Sequence, residues 1–191
     1  MIFLNDCNII VQLCNFKENE KEKCFDYINI NPLNYDYKIT KLNLRWKDNN
    51  FQIEELKVLN TKINKEKKVY HIFFYDWHDH GVPSVSFSLS SFLLIFDFIN
   101  KKKNNKPFVV HCSAGVGRTG CFIAIYLLHY FLKDKLNEPI IQFNIFNLVR
   151  QLREMRLHLI QNVDQFYFIY RFIKYYLENN ILQKFNIEFL E

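Results

Sequence analysis

The chain has 191 residues, a hydrophobic fraction of 49%, 20 Phe, 11 Tyr and a net charge of +5, which suits one domain spanning 1–191 with a sizeable core and leaves little room for a second. The basic excess does not mark a nucleic-acid groove, because its densest run, Lys101 to Lys106, mixes lysine with asparagine and holds neither arginine nor aromatic residue, the pattern of a solvated turn. The longest apolar run, Cys121 to Leu132, contains His129 and falls short of the roughly 20 residues that a membrane span needs.

In chain order, residues 8–14 (NIIVQLC) read as a short buried strand and residues 17–23 as a charged loop or hairpin. Alternating apolar residues predict strands over 38–46 and 51–59, joined at Asp48, Asn49 and Asn50. A strand over 68–74 leads into the polar loop DWHDHGVPS. Ser90 is placed as the cap of a helix with Phe92, Leu93, Ile95, Phe96 and Ile99 inward. A short strand over 108–111 precedes an apolar helix over 120–132. An amphipathic helix over 141–155 then carries Phe146, Val149 and Leu152 inward, with Arg150, Arg153 and Arg156 mostly outward, and an aromatic helix runs from Val163 or Asp164 to Leu177. Strands lead and helices follow, so the expected fold is α/β, a mixed sheet flanked by helices.

Five cysteines (Cys7, Cys14, Cys24, Cys112, Cys121) at irregular spacing, with no C-x-x-C pair, argue against a zinc or disulfide framework. Met1 to Phe16 is interrupted by Asn5, Asp6 and Asn8 and lacks a basic start. No secretory segment is therefore expected, the thiols are read as reduced and the location as cytoplasmic.

Three of the four glycines lie in HCSAGVGRTG, His111 to Gly120. Gly115, Gly117 and Gly120 fit the G-x-G-x-x-G dinucleotide spacing, but Cys112, Ser113 and Ala114 stand between strand and first glycine, and no strand leads into the nearest acids, Asp134 and Glu138. A Walker-type loop fails because Arg118-Thr119 stands where Gly-Lys-Ser/Thr is needed. As a cysteine site the stretch is coherent. Five small or flexible residues between Cys112 and Arg118 let backbone N–H groups converge on one anion, the following helix adds its positive end, and Arg118 offers a two-pronged donor. The same fields favour a thiolate at Cys112.

Every position of HCSAGVGRTG matches the H-C-S-A-G-x-G-R-T/S-G phosphate-binding loop of the cysteine-based protein tyrosine phosphatases, which this chain resembles. The resemblance implies that Cys112 attacks phosphorus and that Arg118, with Ser113, Ala114, Gly115, Val116 and Gly117, binds the phosphoryl oxygens. It further implies that His111 and Thr119 tune the thiolate and its release. HIFFYDWHDHGVPS, residues 71–84, is similar to the family's acid loop, with Trp77 as hinge and Asp79 as general acid. QNVDQFYFIY, residues 161–170, is similar to its double-glutamine segment, with Gln161 positioning the hydrolytic water and Gln165 assisting. ENEKEKC, residues 18–24, is similar to the loop in which Glu18 pairs with the arginine and Lys23 approaches the closed acid loop.

Two departures stand out. His78 replaces the proline before the aspartate, exchanging a fixed φ for a freer one. Met1-Ile2-Phe3 falls where the family has M-I/V-W, so the family's earlier part, including the N-x-x-Y loop that stacks on phosphotyrosine, is expected to be absent, leaving a truncated sheet. The resemblance implies a protein-tyrosine phosphatase working through phosphocysteine, with no metal or cofactor, phosphotyrosine-containing proteins as partners and a place in signal transduction. It leaves as the alternative a catalytically impaired phosphotyrosine-binding module. An exposed sheet edge is expected to invite self-association.

Overall fold

The computed structural model describes residues 1–30, 35–77, 81–135 and 141–179, apart from the side chain of Phe87. Strand β1 (Ile9–Gln12) is followed by a small hairpin of β2 (Lys17–Glu18) and β3 (Lys21–Glu22), then by β4 (Tyr37–Lys47), β5 (Phe51–Asn60) and β6 (Lys65–Phe74). Helix α1 (Val85–Lys102) leads to β7 (Val109–His111), and α2 (Gly117–Leu132), α3 (Ile145–Met155) and α4 (Val163–Asn179) follow. The main sheet has the order β4-β5-β6-β1-β7. It is mixed, as expected: β4, β5 and β6 run antiparallel, and β1 lies parallel to both β6 and β7.

Local chemistry explains the turns. Asp48 Oδ1 accepts from the backbone N–H groups of Asn50 (2.7 Å) and Phe51 (2.9 Å), closing the β4–β5 connection. The lysine run after α1 is a turn, with Asn104 and Asn105 in the left-handed region (φ 48 and 59). β6 begins at Lys65, earlier than its apolar pattern suggests, because the backbone ladder to β5 continues through charged residues at the solvent end.

Three expectations are corrected. Helix α1 starts at Val85 with Ser84 as cap, so Ser90 lies inside it; the serines bond back to the helix backbone, as Ser88 Oγ does to the Ser84 carbonyl at 2.7 Å. Helix α2 begins at Gly117, inside the glycine loop. Helix α3 starts at Ile145, where Asn144 Oδ1 accepts from Asn147 N–H at 2.9 Å. That cap sets the buried stripe as Ile145, Val149 and Leu152 and turns Phe146 outward, 62% exposed.

Aromatic rings join the helices to the sheet. Phe92 of α1 meets Phe74 of β6, Phe122 of α2 and Phe172 of α4 at centroid separations of 5.1, 5.4 and 5.6 Å. Elsewhere, Ile2, Phe3, Ile10, Phe25, Tyr35 and Ile39 line an apolar groove of about 290 Å³, and β4 is largely exposed. Under β4–β6, Glu55 is buried; burial alone would raise its carboxyl, but Arg45, Asn43 and Lys68 outweigh that and hold it at about 2. Among the described residues no helix is long and apolar enough to cross a membrane.

Candidate active site

Strands β1 and β7 end side by side, with Gln12 opposite His111, and Leu13 N–H donates to the His111 carbonyl at 2.8 Å. The space beyond the carboxyl ends of parallel strands is where open α/β sheets bind ligands. Here it receives the loop from Cys112 to the start of α2. Gly115 makes the turn at φ +70, backed by Arg156, whose Nη2 donates to the Ala114 carbonyl at 3.3 Å. Val116 opens α2 without a side-chain cap, and the first turn carries no acid. The positive end of the helix thus has no carboxylate of its own first turn to answer it.

The loop encloses a cavity of about 160 Å³. That is the share of liquid taken by about five waters, enough for a phosphoryl group and too little for a dinucleotide. Cys112, Ser113, Ala114 and Gly117 form its floor, with Lys23, Arg118, Gln161 and Gln165 around it. Among the described residues two cations and no carboxylate line it. Gly115 and Val116 shape the loop from outside this lining, the Val116 carbonyl accepting from Gly120 N–H (3.0 Å) and Ile160 N–H (3.1 Å).

Arg118 is 3% exposed and held as a fork. Nη1 and Nη2 each donate to a Glu18 carboxylate oxygen at 2.6 Å, and Nη1 donates also to the Leu13 carbonyl at 3.1 Å. Glu18 Oε1 accepts from Asn15 N–H at 3.0 Å. A buried guanidinium stripped of its carboxylate leaves an uncompensated charge. Glu18→Ala is therefore expected to cost about 3–5 kcal/mol in urea unfolding; a loss below about 1 kcal/mol would show that the pair behaves as a surface one.

The two glutamines meet the loop from α4 and from the segment just before it. Gln165 is buried, and its Oε1 accepts from Gln161 N–H at 2.8 Å. Arg153 crosses from α3 to donate to the carbonyls of Leu159 (2.9 Å) and Ile160 (2.7 Å), pinning the approach to Gln161. A Cβ on Gly117 would stand 2.9 Å from Gln165 Nε2 and 3.2 Å from Gln161 Oε1, and one on Gly120 only 2.6 Å from the Ile160 nitrogen. Gly120 is demanded by close approach of backbone, whereas at Gly117 an added Cβ would push the glutamine amides aside.

Trp77 is buried, donates Nε1–H to the Gly81 carbonyl at 3.0 Å and packs on Phe92 and Phe168. Asp79 and His78 lie outside the described residues. Thr119 is buried beneath the loop, its hydroxyl without a partner among the described residues.

Residues 1–175 match the family described as protein-tyrosine phosphatase. The chain belongs to that family. It is 36% identical over 197 residues to Tyrosine-protein phosphatase 2 of Dictyostelium discoideum, covering 96% of this chain and 49% of that protein. It is 30% identical over 182 residues to Tyrosine-protein phosphatase non-receptor type 20 of Mus musculus, covering 94% and 41% respectively. The chain thus spans about half the length of these curated relatives or less. Its fold is similar to that of PTPN18 in a structure with HER2-pY1196 phosphopeptides, with a TM-score of 0.78, 24% identity, and coverage of 91% of this chain and 59% of that one.

Around His111 the structure also gathers Tyr27, Gln12, His71, Cys14 and Cys24, to which the sequence motifs assign no role. His111 Nδ1 lies 3.1 Å from the Cys112 carbonyl, and Nε2 lies 2.8 Å from the Tyr27 hydroxyl. Tyr27 in turn touches Gln12 and His71. Beside them lie Cys14 and Cys24: interaction with Cys24, then burial, pushes the Cys14 thiol up, and interaction with Cys14, together with His111, holds Cys24 down at about 5. One signal was available in the sequence, a single polar residue inside each of two apolar strands, Gln12 in IIVQL and His71 in VYHIFF.

Proposed function

We propose that this chain hydrolyses phosphotyrosine on proteins in two steps, with its own side chains supplying the chemistry. The observation that carries the reading is a buried cysteine on an anion-sized floor, at a helix N-terminus, beside an arginine fixed by a carboxylate. Cys112 Sγ attacks phosphorus and the bond to the tyrosyl oxygen breaks, with Asp79 giving that oxygen a proton. Arg118 and the N–H groups of the loop from Ser113 to Gly117 bear the developing charge, where preorganised donors count most. Water held by Gln161, with Gln165 fixing that residue's backbone, then attacks phosphorus; the P–S bond breaks, the water's proton returns to Asp79, and inorganic phosphate leaves. His111 and Thr119 stabilise the thiolate as it leaves. Lys23 at the rim favours the dianionic substrate.

The phosphopeptides bound by PTPN18 support substrates of this class, and the non-receptor relatives support a cytoplasmic enzyme of signal transduction. The test is release of phosphate from a phosphotyrosine peptide, lost in Asp79→Asn at neutral pH; no release by the unaltered chain would overturn the reading.

Gly117→Ala separates the two steps. Its Cβ displaces both glutamines, so an initial burst of phenol release followed by turnover about 10²-fold slower is expected, the size of effect a roughly 1 Å misplacement can have. Acid-quenched protein would carry phosphate on Cys112. Equal slowing of burst and turnover would argue against water positioning.

We also propose that the exposed β4 edge and its apolar surroundings drive self-association. Sedimentation across a range of concentrations is expected to show oligomers; a monomer at all of them would refute this.

A further inference from the structure

Three adjacent strands present one polar side chain each to a common cluster: His71 from β6, Gln12 from β1 and His111 from β7, with Tyr27 from the segment after β3 reaching all three. Hydrogen counting fixes most of the cluster. Gln12 Nε2 donates to the Cys14 carbonyl at 2.8 Å, so Oε1 is the atom turned inward. Burial, then the nearby His111 and Lys41, pushes His71 down to about 3, so the ring is neutral with a single N–H. That hydrogen belongs on Nε2, which lies 3.0 Å from Gln12 Oε1, since Nδ1 has no partner among the described residues. His111 Nδ1 faces a carbonyl and therefore donates; with one proton on the ring, Nε2 is bare and accepts the Tyr27 hydroxyl hydrogen at 2.8 Å.

A second proton on His111 changes the count. Nε2–H must now donate to the Tyr27 oxygen, and the single hydroxyl hydrogen of Tyr27 must turn elsewhere. The acceptor in reach is Gln12 Oε1, at 3.1 Å, which has a lone pair left after accepting from His71. We infer that Gln12 is a positioning residue: its carboxamide oxygen is the alternate acceptor that lets Tyr27 turn and so lets His111 carry positive charge next to Cys112.

Without it, charging His111 strands a buried hydroxyl hydrogen, which disfavours the imidazolium and with it the neighbouring thiolate. The other titratable groups near His111 are Cys24, His71 and Cys112, with Cys14 behind Cys24. A Cys24 thiolate would itself favour the charged ring, so the test is run in a Cys24→Ser background.

The inference rests on the phosphatase reading only in taking Cys112 as nucleophile, and its test needs no turnover. Iodoacetate alkylation of Cys112, read by mass spectrometry of its peptide, is followed against pH for the parent, Gln12→Met, Tyr27→Phe and the double variant. Gln12→Met is expected to slow alkylation about tenfold near pH 6, the scale of one lost hydrogen bond to a charged group, and to converge with the parent at alkaline pH. In Tyr27→Phe the Gln12 substitution should add nothing, since the hydroxyl it serves is gone. An unchanged profile, or the same slowing with and without Tyr27, overturns the inference. Should Gln12→Met fail to fold, imidazole ¹⁵N spectra of the unaltered chain decide: neutral His71 carrying its proton on Nδ1, or neutral His111 carrying its own on Nε2, overturns it equally. A shifted alkylation profile in a chain that releases no phosphate would uphold the inference and sink the hydrolase reading.

Discussion

Cys112→Ser is expected to lower phosphate release from a phosphotyrosine peptide by at least about 10⁴-fold, the scale on which loss of a catalytic nucleophile is felt. Binding of the same peptide should change little. A serine hydroxyl at this position is close in size and keeps a hydrogen-bonding group, but it stays an un-ionised alcohol at neutral pH and is a far weaker nucleophile. The proposed phosphoryl seat, by contrast, is built by Arg118, Glu18 and the backbone, none of which the substitution touches. Rate and affinity therefore separate. Calorimetry with the peptide and a phosphate-release assay on the two proteins read that separation directly. Turnover by the serine variant within about tenfold of the parent would remove Cys112 from the chemistry. Tight binding by a parent that releases nothing would instead favour the phosphotyrosine-binding module.

The loop was legible because its parts are local: cysteine, glycines and arginine fall within ten residues, and β7 and α2 on either side have clear apolar patterns. Glu18 and Gln161 were reached from short matching segments, and the structure brings Glu18 onto Arg118 and Gln161 to the same cavity. What could not be read was anything that depends on register. Gln12 faces His111 only because β1 and β7 pair in parallel with Gln12 opposite His111, and Tyr27 arrives from a segment without regular structure. Arg153 and Arg156, read as an outward face of α3, bond to the carbonyls of Leu159, Ile160 and Ala114, because exposed arginines still reach backbone acceptors on neighbouring loops. Ser90 misled for a different reason. A run of alternating serines offers several caps, and the one chosen is decided by Pro83-Ser84, where the chain is still extended.

Acidification is expected to destabilise this protein well above the range where its carboxylates titrate. His71 is held at about 3 and His129 at about 4, in each case chiefly by burial, against an ordinary value of 6.5. For both, the folded value lies below the unfolded one, so the unfolded chain takes up the proton first and stability falls as pH drops below about 6.5. Glu55, held at about 2, also contributes stability lost in acid, but only below about pH 4.5. With Cys24, whose thiol is held at about 5, replaced by serine, the interval from pH 7 to pH 5 reports on histidines. Each contributes up to about 1.4 kcal/mol per pH unit there, so a loss of about 2–4 kcal/mol over that interval is expected in urea unfolding. His129 packs on the rings of Phe96 and Tyr176, with Nδ1 unpartnered among the described residues. His129→Leu keeps that apolar packing and removes one proton acceptor of the unfolded chain. It should take away roughly half of the pH slope between 5 and 7 without lowering stability at pH 5. A slope as steep as the parent's would place the acid sensitivity elsewhere than in the buried rings.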